Sequence, residues 1–284
     1  MPDPKHPGNL IRGKGDQGAV SDQWSLNRSN FEGCWQGKGY WFERNGDEPI
    51  DLRQPFRLID PTRYEITFSD PETGLWDGSG LFFAPGGQAR YSISRSTYNA
   101  GGGCWQFNGT GGQSSLRLDV EQSRFGHEIN LFQGRSRSML VLIWLRSGHH
   151  WLLQVVGAVG FRCQASSFQE PERSACRSLP ELLEPMRGWS GSVQRLLPKA
   201  GADSQPTACE QVRFVPEGFL INPCSAVMPD GLVFSVPERM TSGPFRLEVG
   251  CLLSSDLFQQ LSILFDESGE LTCWERKRFA SDRR

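Results

Sequence analysis

A chain of 284 residues with a formal net charge of −2 has no basic field to hold nucleic acid, and no apolar run in it approaches the roughly 20 residues of a membrane span. With 32 glycines, 18 prolines and a hydrophobic share of 37%, it suits many turns, few long helices and β-barrels whose outer faces are wet. The N-terminal residues lack the apolar core of a secretion signal, so the expected compartment is the cytoplasm, where the chain is made.

Residues 1–22 are rich in Gly, Lys, Asp and Pro and are expected to form a mobile tail. Trp24 to Asn30 reads as a short helix closing the bottom of a barrel. Asn30-Phe31-Glu32-Gly33-Cys34-Trp35-Gln36-Gly37 opens the ordered chain. A Gly ahead of a Trp-bearing strand lets backbones pass close together, and Trp35 is expected as an apolar plug at the closed end. Gly37–Arg44 is the first predicted strand, running into the hairpin signal Asn45-Gly46-Asp47. Phe56–Ile59 and Arg63–Phe68 are predicted as two strands split by Asp60-Pro61. Gly74–Phe83 and Ala89–Ser94 flank the turn Pro85-Gly86-Gly87. Asn99–Cys104 is a Gly-rich loop, and Trp105–Gly109 and Ser114–Val120 are further strands.

The clearest hairpin follows, with Phe125–Phe132 and Arg135–Leu145 flanking Gln133-Gly134. A two-residue turn there sets 132 opposite 135, 130 opposite 137 and 128 opposite 139. Alternation then places Glu128, Asn130, Arg135 and Arg137 on one face, and Phe125, Ile129, Leu131, Leu140, Leu142 and Trp144 on the other. Trp151–Arg162 follows as the next strand, so 114–162 reads as a meander.

Residues 164–185 change character, with a polar linker around Gln169–Arg173 and a short helix capped by Ser178 with Pro180 in its first turn. Met186-Arg187-Gly188-Trp189-Ser190-Gly191 then repeats the Trp-x-Gly of Trp35. Gly188–Leu197, Glu210–Phe214, Gly218–Ile221, Ser225–Met228, Leu232–Val236, Phe245–Leu252, Leu261–Phe265 and Leu271–Phe279 read as strands, with Ser254–Gln260 as a kink or helical turn. No segment carries a long amphipathic pattern of period 3.6. The expected fold is all-β: two tandem antiparallel β-barrels with short helices, one over 23–177 and a smaller one over 178–284.

Eight cysteines show neither a Cys-x-x-Cys pair nor zinc-site spacing, so buried free thiols are expected and no metal site. No Gly-x-Ser-x-Gly elbow is present, and four histidines leave few partners for a nucleophile, so no catalytic residue is assigned. Gly101-Gly102-Gly103 lacks the Lys-Ser/Thr and helix of a phosphate loop. His149-His150 falls at a turn, and His127 reads as a core histidine with its hydrogen bonds met. Two readings stand for the charged face of Glu128, Asn130, Arg135 and Arg137. It is either a solvated exterior with a surface ion pair, or a barrel lumen whose arginines clamp ligand carboxylates. Trp105, with Trp35, Trp41 and Trp144, is either core or the lining of an apolar pocket.

Trp24, Asn30-Phe31, Gly33 and Trp35-Gln36-Gly37 resemble the opening of a cyanobacterial and algal two-domain calycin-like (lipocalin-like) family with no assigned function. Met228-Pro229-Asp230-Gly231, Pro237-Glu238, Phe245–Leu252 and Phe265–Gly269 followed by Glu275 are similar to its C-terminal half, and Glu128 with Arg135-Ser136-Arg137 to its Glu and Arg-x-Arg strands. Cys251 departs from that family, which usually has Trp nearby. A fainter similarity extends to S-type phycobiliprotein lyases, single barrels that take a linear tetrapyrrole. The resemblance implies a binding protein or chaperone for a hydrophobic carboxylated ligand such as a bilin, contacted by Arg135, Arg137, Glu128, Asn130 and Trp105. It implies no built-in cofactor. The other expectations it raises are a bilin lyase or isomerase that hands pigment to an acceptor protein, and filled barrels that serve protein contacts.

Overall fold

The computed structural model describes residues 22–81, 89–166, 170–173, 178–198, 204–241 and 243–281. The expected tail up to residue 21 and the turn at 85–87 lie outside the described residues. The first half opens with α1 (Gln23–Phe31), whose N-cap Asp22 accepts a 2.7 Å hydrogen bond from the Ser25 amide. Nine strands follow: β1 (Gly33–Glu43), β2 (Arg57–Thr67), β3 (Thr73–Gly80), β4 (Arg90–Ser94), β5 (Cys104–Phe107), β6 (Thr110–Ser114), β7 (Arg124–Gln133), β8 (Ser136–Ser147) and β9 (His150–Cys163). They form one curled antiparallel sheet in the order β4-β3-β2-β1-β9-β8-β7-β6-β5. The first strand therefore pairs with the last, and the sheet's two free ends fall between the consecutive strands β4 and β5.

The second half repeats this plan. After α2 (Leu179–Leu183) come β10 (Ser190–Leu196), β11 (Thr207–Arg213), α3 (Pro216–Phe219), β12 (Cys224–Val227), β13 (Leu232–Val236), β14 (Arg239–Met240), β15 (Phe245–Ser254), β16 (Leu257–Phe265) and β17 (Leu271–Ala280). Seven of them form a sheet in the order β11-β10-β17-β16-β15-β13-β12, again with first and last strands paired, while β14 crosses to pair with β9. The repeated Trp-x-Gly marks the shared plan. Gly37 pairs with Phe161 on β9, and Gly191 pairs with Phe279 on β17. A Cβ on Gly37 would meet the Gly160 carbonyl oxygen at 1.9 Å, and one on Gly191 the Phe279 ring at 2.4 Å. Each glycine thus permits the closing strand to approach. The tryptophans differ in depth: Trp35 is fully buried, whereas Trp189 is half-buried just ahead of its strand.

Several boundaries differ from expectation. Asp60-Pro61 does not split a strand; β2 runs through it, and a bulge opposite Gly37–Gly39 absorbs the proline, which has no N–H for the ladder. Most of Ser114–Val120 lies outside a strand, since β6 ends at Ser114. Gly218–Ile221 is no strand: Pro216 starts the single turn of α3 there. Ser254–Gln260 is a hairpin turn followed by the start of β16. In the β7–β8 hairpin the turn is Gly134-Arg135, with Gly134 at φ 56°, so Gln133 faces Ser136 and Phe132 faces Arg137. That register differs from the expected one by two positions.

Both faces of this hairpin are covered. Phe125, Ile129, Leu131, Leu140, Leu142 and Trp144 pack into a core shared with Leu247, Val249, Ile263 and Trp274 of the second sheet. The inner face joins Trp35, Tyr64, Val141, Ile143 and Phe161 inside the first sheet. A third cluster, with Phe214, Phe219, Phe258 and Phe279, packs on the other face of the second sheet. No described helix is long and apolar enough to cross a membrane.

A charged clasp pins the two halves. Asp230, at φ 60° in the Pro229-Asp230-Gly231 turn, accepts hydrogen bonds from Arg162 Nη2 at 2.7 Å, Arg173 Nη1 at 3.2 Å and Ser138 Oγ at 2.6 Å. Burial alone would raise its carboxyl, but the Arg162 hydrogen bond and the charges of Arg173 and Arg162 outweigh this and hold it below the ordinary value. Its contribution is therefore present above about pH 3.9 and is lost as pH falls through the lowered folded value. Asp230→Asn should cost about 3 kcal/mol in urea unfolding at pH 7 by leaving two buried guanidinium groups short of a counter-charge, and that cost should shrink toward pH 3. A pH-independent change below about 1 kcal/mol would mean that the clasp does not hold the halves together. Gly37→Ala should cost about 3 kcal/mol, because the Gly160 carbonyl oxygen stands 1.9 Å from the added Cβ, while Gly191→Ala should cost less, because its nearest obstacles, the Phe279 ring at 2.4 Å and the Arg278 carbonyl oxygen at 2.9 Å, stand farther off. Equal losses would refute that distinction.

Candidate functional site

Alternation along β7 and β8 turns Glu128, Asn130 and Phe132, with Arg137, Met139, Val141 and Ile143, to the inside of the curled sheet. A cavity of about 420 Å³ opens there, and its lining includes Trp41, Gln113, Glu128, Met139, Val141 and Ile143. Glu128 is half-buried, and its Oε1 accepts a 3.0 Å hydrogen bond from Asn130 Nδ2. Burial raises the Glu128 carboxyl, with the Asn130 hydrogen bond opposing in part. On the neighbouring strand Gln113 pairs with Glu128 and donates from Nε2 to the Tyr98 hydroxyl at 2.6 Å. Burial also pushes the Cys104 thiol up to about 12, with the Glu128 charge adding to the effect. That thiol is a poor nucleophile.

Two residues beyond Met139 on the same face, Arg137 has 0% exposure. Its guanidinium lies 4.3 Å from the ring centroids of Tyr64 and Phe161, 5.1 Å from Trp35, 5.6 Å from Phe31 and 5.8 Å from Phe132. Nε, Nη1 and Nη2 make no hydrogen bond, and neither does the adjacent buried Tyr64 hydroxyl. Among the described residues no carboxylate pairs with it. Burial strongly disfavours its charge, lightly offset by Cys163, yet a guanidinium keeps its proton. Ring faces attract the cation by about 0.5–2 kcal/mol each but accept none of its N–H groups in the plane of the fork. A buried cation in this state lacks a planar anionic partner.

α1 closes the end beneath Arg137. Gln23 exchanges hydrogen bonds with the Gln106 backbone at 2.9 and 2.8 Å, and Asn30 donates to the Phe107 carbonyl at 2.8 Å. Trp35 Nε1 donates to the Phe31 carbonyl at 2.8 Å. Arg135, in the hairpin turn, lies 4.6 Å over Trp35, donates to the Glu32 carbonyl and reaches Cys163 Sγ at 3.0 Å. Glu128, Asn130 and Arg137 are thus brought to one interior face, while Arg135 seals the end outside it. Trp105 is fully buried between the sheets, stacked on Trp274 at 5.9 Å, with both indoles donating to Ser114 Oγ. Tyr64, Phe161 and Met139 complete the site; Tyr64 and Phe161 reach it only through the pairing of β1 with β2 and β9, which no local motif announces.

His127 is buried among Phe125, Trp144 and Phe265, and neither ring nitrogen has a partner, contrary to the expectation of a satisfied core group. The seven described cysteines are free thiols. No group of three or more His, Cys, Asp or Glu side chains among the described residues is placed to hold a metal ion.

Fold and site together define an antiparallel β protein with a curled sheet, an interior cavity and a buried unpaired cation beyond it. The chain is similar to a DUF3598-family protein of unknown function from the cyanobacterium Nostoc punctiforme, with a TM-score of 0.62 at 19% identity over 92% of this chain and 100% of that one. The two share a fold. A tesB protein from Mycobacterium avium subsp. paratuberculosis aligns over 76% of this chain and 95% of its own, with a TM-score of 0.14 at 13% identity, and carries no argument. No family model matches, and a search of curated proteins finds no match.

His127 supplies a test of how dry the hairpin's outer face is. Burial pushes it from 6.5 down to about 3, so between those values the unfolded chain holds a proton that the folded one does not. Stability therefore falls with falling pH in that window, by about 1.4 kcal/mol per pH unit from this residue. His127→Phe should remove that share of the slope in urea titrations between pH 6 and 4. An unchanged slope would mean that the ring is hydrated and charges freely.

Proposed function

We propose that the first half is a calycin-like barrel that binds a hydrophobic small molecule bearing a carboxylate, and that the second half is a filled barrel of the same kind. The observation that carries this reading is Arg137, a fully buried guanidinium with no hydrogen-bond partner, two residues along the strand from a cavity-lining methionine. A carboxylate beside it would accept two parallel N–H bonds. Met139 is unbranched, with three rotatable bonds, and is the side chain best suited to swing aside between cavity and cation. A volume of about 420 Å³ falls within the range of small-molecule sites. An apolar side formed by Trp41, Leu81, Met139, Val141 and Ile143, a polar side that includes Gln113, Arg124 and Glu128, and a buried cation beyond them suit a carrier or chaperone site, and a linear tetrapyrrole with propionate arms belongs to the ligand class. Arg135 holds the closed end together and Trp105 backs the wall from the inter-sheet core.

Calorimetric titration with dodecanoate, a simple apolar carboxylate, tests the reading. The wild-type protein should bind one equivalent and dodecanol much more weakly. Arg137→Met should weaken dodecanoate binding by 1.5–3 kcal/mol, about 10- to 150-fold, and Arg137→Lys should weaken it less but measurably, because a point charge replaces the fork. Equal binding of acid and alcohol, or an Arg137→Met protein that binds as the wild type does, would refute the assignment.

A further inference from the structure

Glu128 stands where the polar and apolar sides of the cavity meet. It pairs with Val141 on β8 and with Gln113 on β6, and all three line the cavity. Directly paired side chains on one face of an antiparallel ladder lie about 5 Å apart, so an apolar chain resting on Val141 and Met139 also covers the Glu128 carboxyl. That carboxyl has little to hold a negative charge. Its one hydrogen bond among the described residues is the 3.0 Å bond from Asn130 Nδ2, and it forms no ion pair among them. The titratable groups around it are neutral or fixed in charge. Tyr91 on β4, Tyr98 beyond it and Cys104 on β5 are held neutral by burial, and a charge on Glu128 adds to that effect. His127, next in the chain, is pushed down to about 3 by burial and is uncharged above about pH 5. Arg124, four residues back on the same face, also lines the cavity; burial disfavours its charge, yet a guanidinium keeps its proton.

We propose that the cavity takes up its ligand together with one proton, which Glu128 holds, and releases the ligand when that carboxyl ionises. This rests on the reading above that the cavity binds an apolar acid, and adds how its loading is controlled. In the open cavity water solvates a Glu128 carboxylate. An apolar chain laid on Val141 displaces that water, and an ion without water or counter-charge is costlier than the neutral acid. The proton comes from solvent on loading and returns to it on release. Burial already raises the Glu128 carboxyl in the empty protein, and the ligand raises it further. Affinity is therefore full below the raised value of the empty protein and falls as pH rises from there to the higher value of the loaded one. Arg137 keeps its proton across that window, so the dependence belongs to Glu128.

Calorimetric titration of the full chain with dodecanoate from about pH 5.5 to 9, in pairs of buffers that differ in ionisation enthalpy, counts the protons taken up. The wild-type protein should take up a fraction of a proton that peaks within the window, with affinity falling there by up to about tenfold per pH unit. Glu128→Gln, which keeps the shape but cannot ionise, should take up none and bind with one affinity at every pH. Glu128→Met should do the same, and replaces it if the Gln variant does not fold. Absence of proton uptake by the wild-type protein at every pH, or the same uptake by a folded variant, overturns the proposal and leaves the carboxylate site standing. Uptake lost in Glu128→Gln, with Arg137→Met binding as the wild type does, supports the proposal and removes the carboxylate reading alone. Failure of dodecanoate to bind overturns the two together.

Discussion

Between Phe125 and Trp144 the β7–β8 hairpin is largely buried on both faces, and the rest of the molecule is arranged around that fact. Its outer face is apolar and is covered by the second sheet through Leu247, Val249, Ile263 and Trp274. Each large apolar side chain buried there contributes roughly 1.5–3 kcal/mol, so a few of them offset the several kcal/mol that a desolvated cation costs. The inner face carries Glu128, Asn130 and Arg137 beside apolar residues of its own, among them Phe132, Met139, Val141 and Ile143. The second half acts as the lid on the outer face of this wall. Its other face is covered by phenylalanines, and the described cavity lies in the first half.

The pairing of the first strand of the curled sheet with its last gives the site its depth. Pairing of β1 with both β2 and β9 brings Trp35, Tyr64 and Phe161, far apart in the sequence, around one guanidinium. α1 then shuts that end, held by side chains of Gln23 and Asn30 on the backbone of β5. Long-range pairing of this kind sets a rigid frame, which a binding site needs if its groups are to be in place before the ligand arrives.

Much of this was legible in the residues. The alternation of the hairpin separated Glu128, Asn130 and Arg137 from Leu140, Leu142 and Trp144, and the separation survived a register two positions away from the one expected, because side chains repeat with a period of two. A slip of one would have inverted it. The Trp-x-Gly repeat marked the same step in each half, since a close strand approach needs glycine at Gly37 and Gly191. The local pattern could not say whether the charged face was lumen or exterior, because both look alike until the opposite face is known to be covered. Nor did it show that Asp230, in what reads as an ordinary turn, anchors Arg162 and Arg173, or that His127 lacks any partner. These depend on which distant segments meet, and turn chemistry carries no record of that. Pro216 illustrates the local limit: Gly218–Ile221 alone reads as extended, yet the proline ahead of it starts a helical turn.

If Arg137 is kept for a ligand, it is kept at a cost to the empty protein. Thermal unfolding of the ligand-free Arg137→Met variant measures that cost directly. Replacing an unpaired buried cation by an apolar side chain of similar length should stabilise the protein by about 1–4 kcal/mol, raising Tm by at least about 2 °C. A Tm lowered by several degrees would contradict this, for it would make the guanidinium and its five surrounding rings a structural support of the first sheet and leave the cavity without its anion partner.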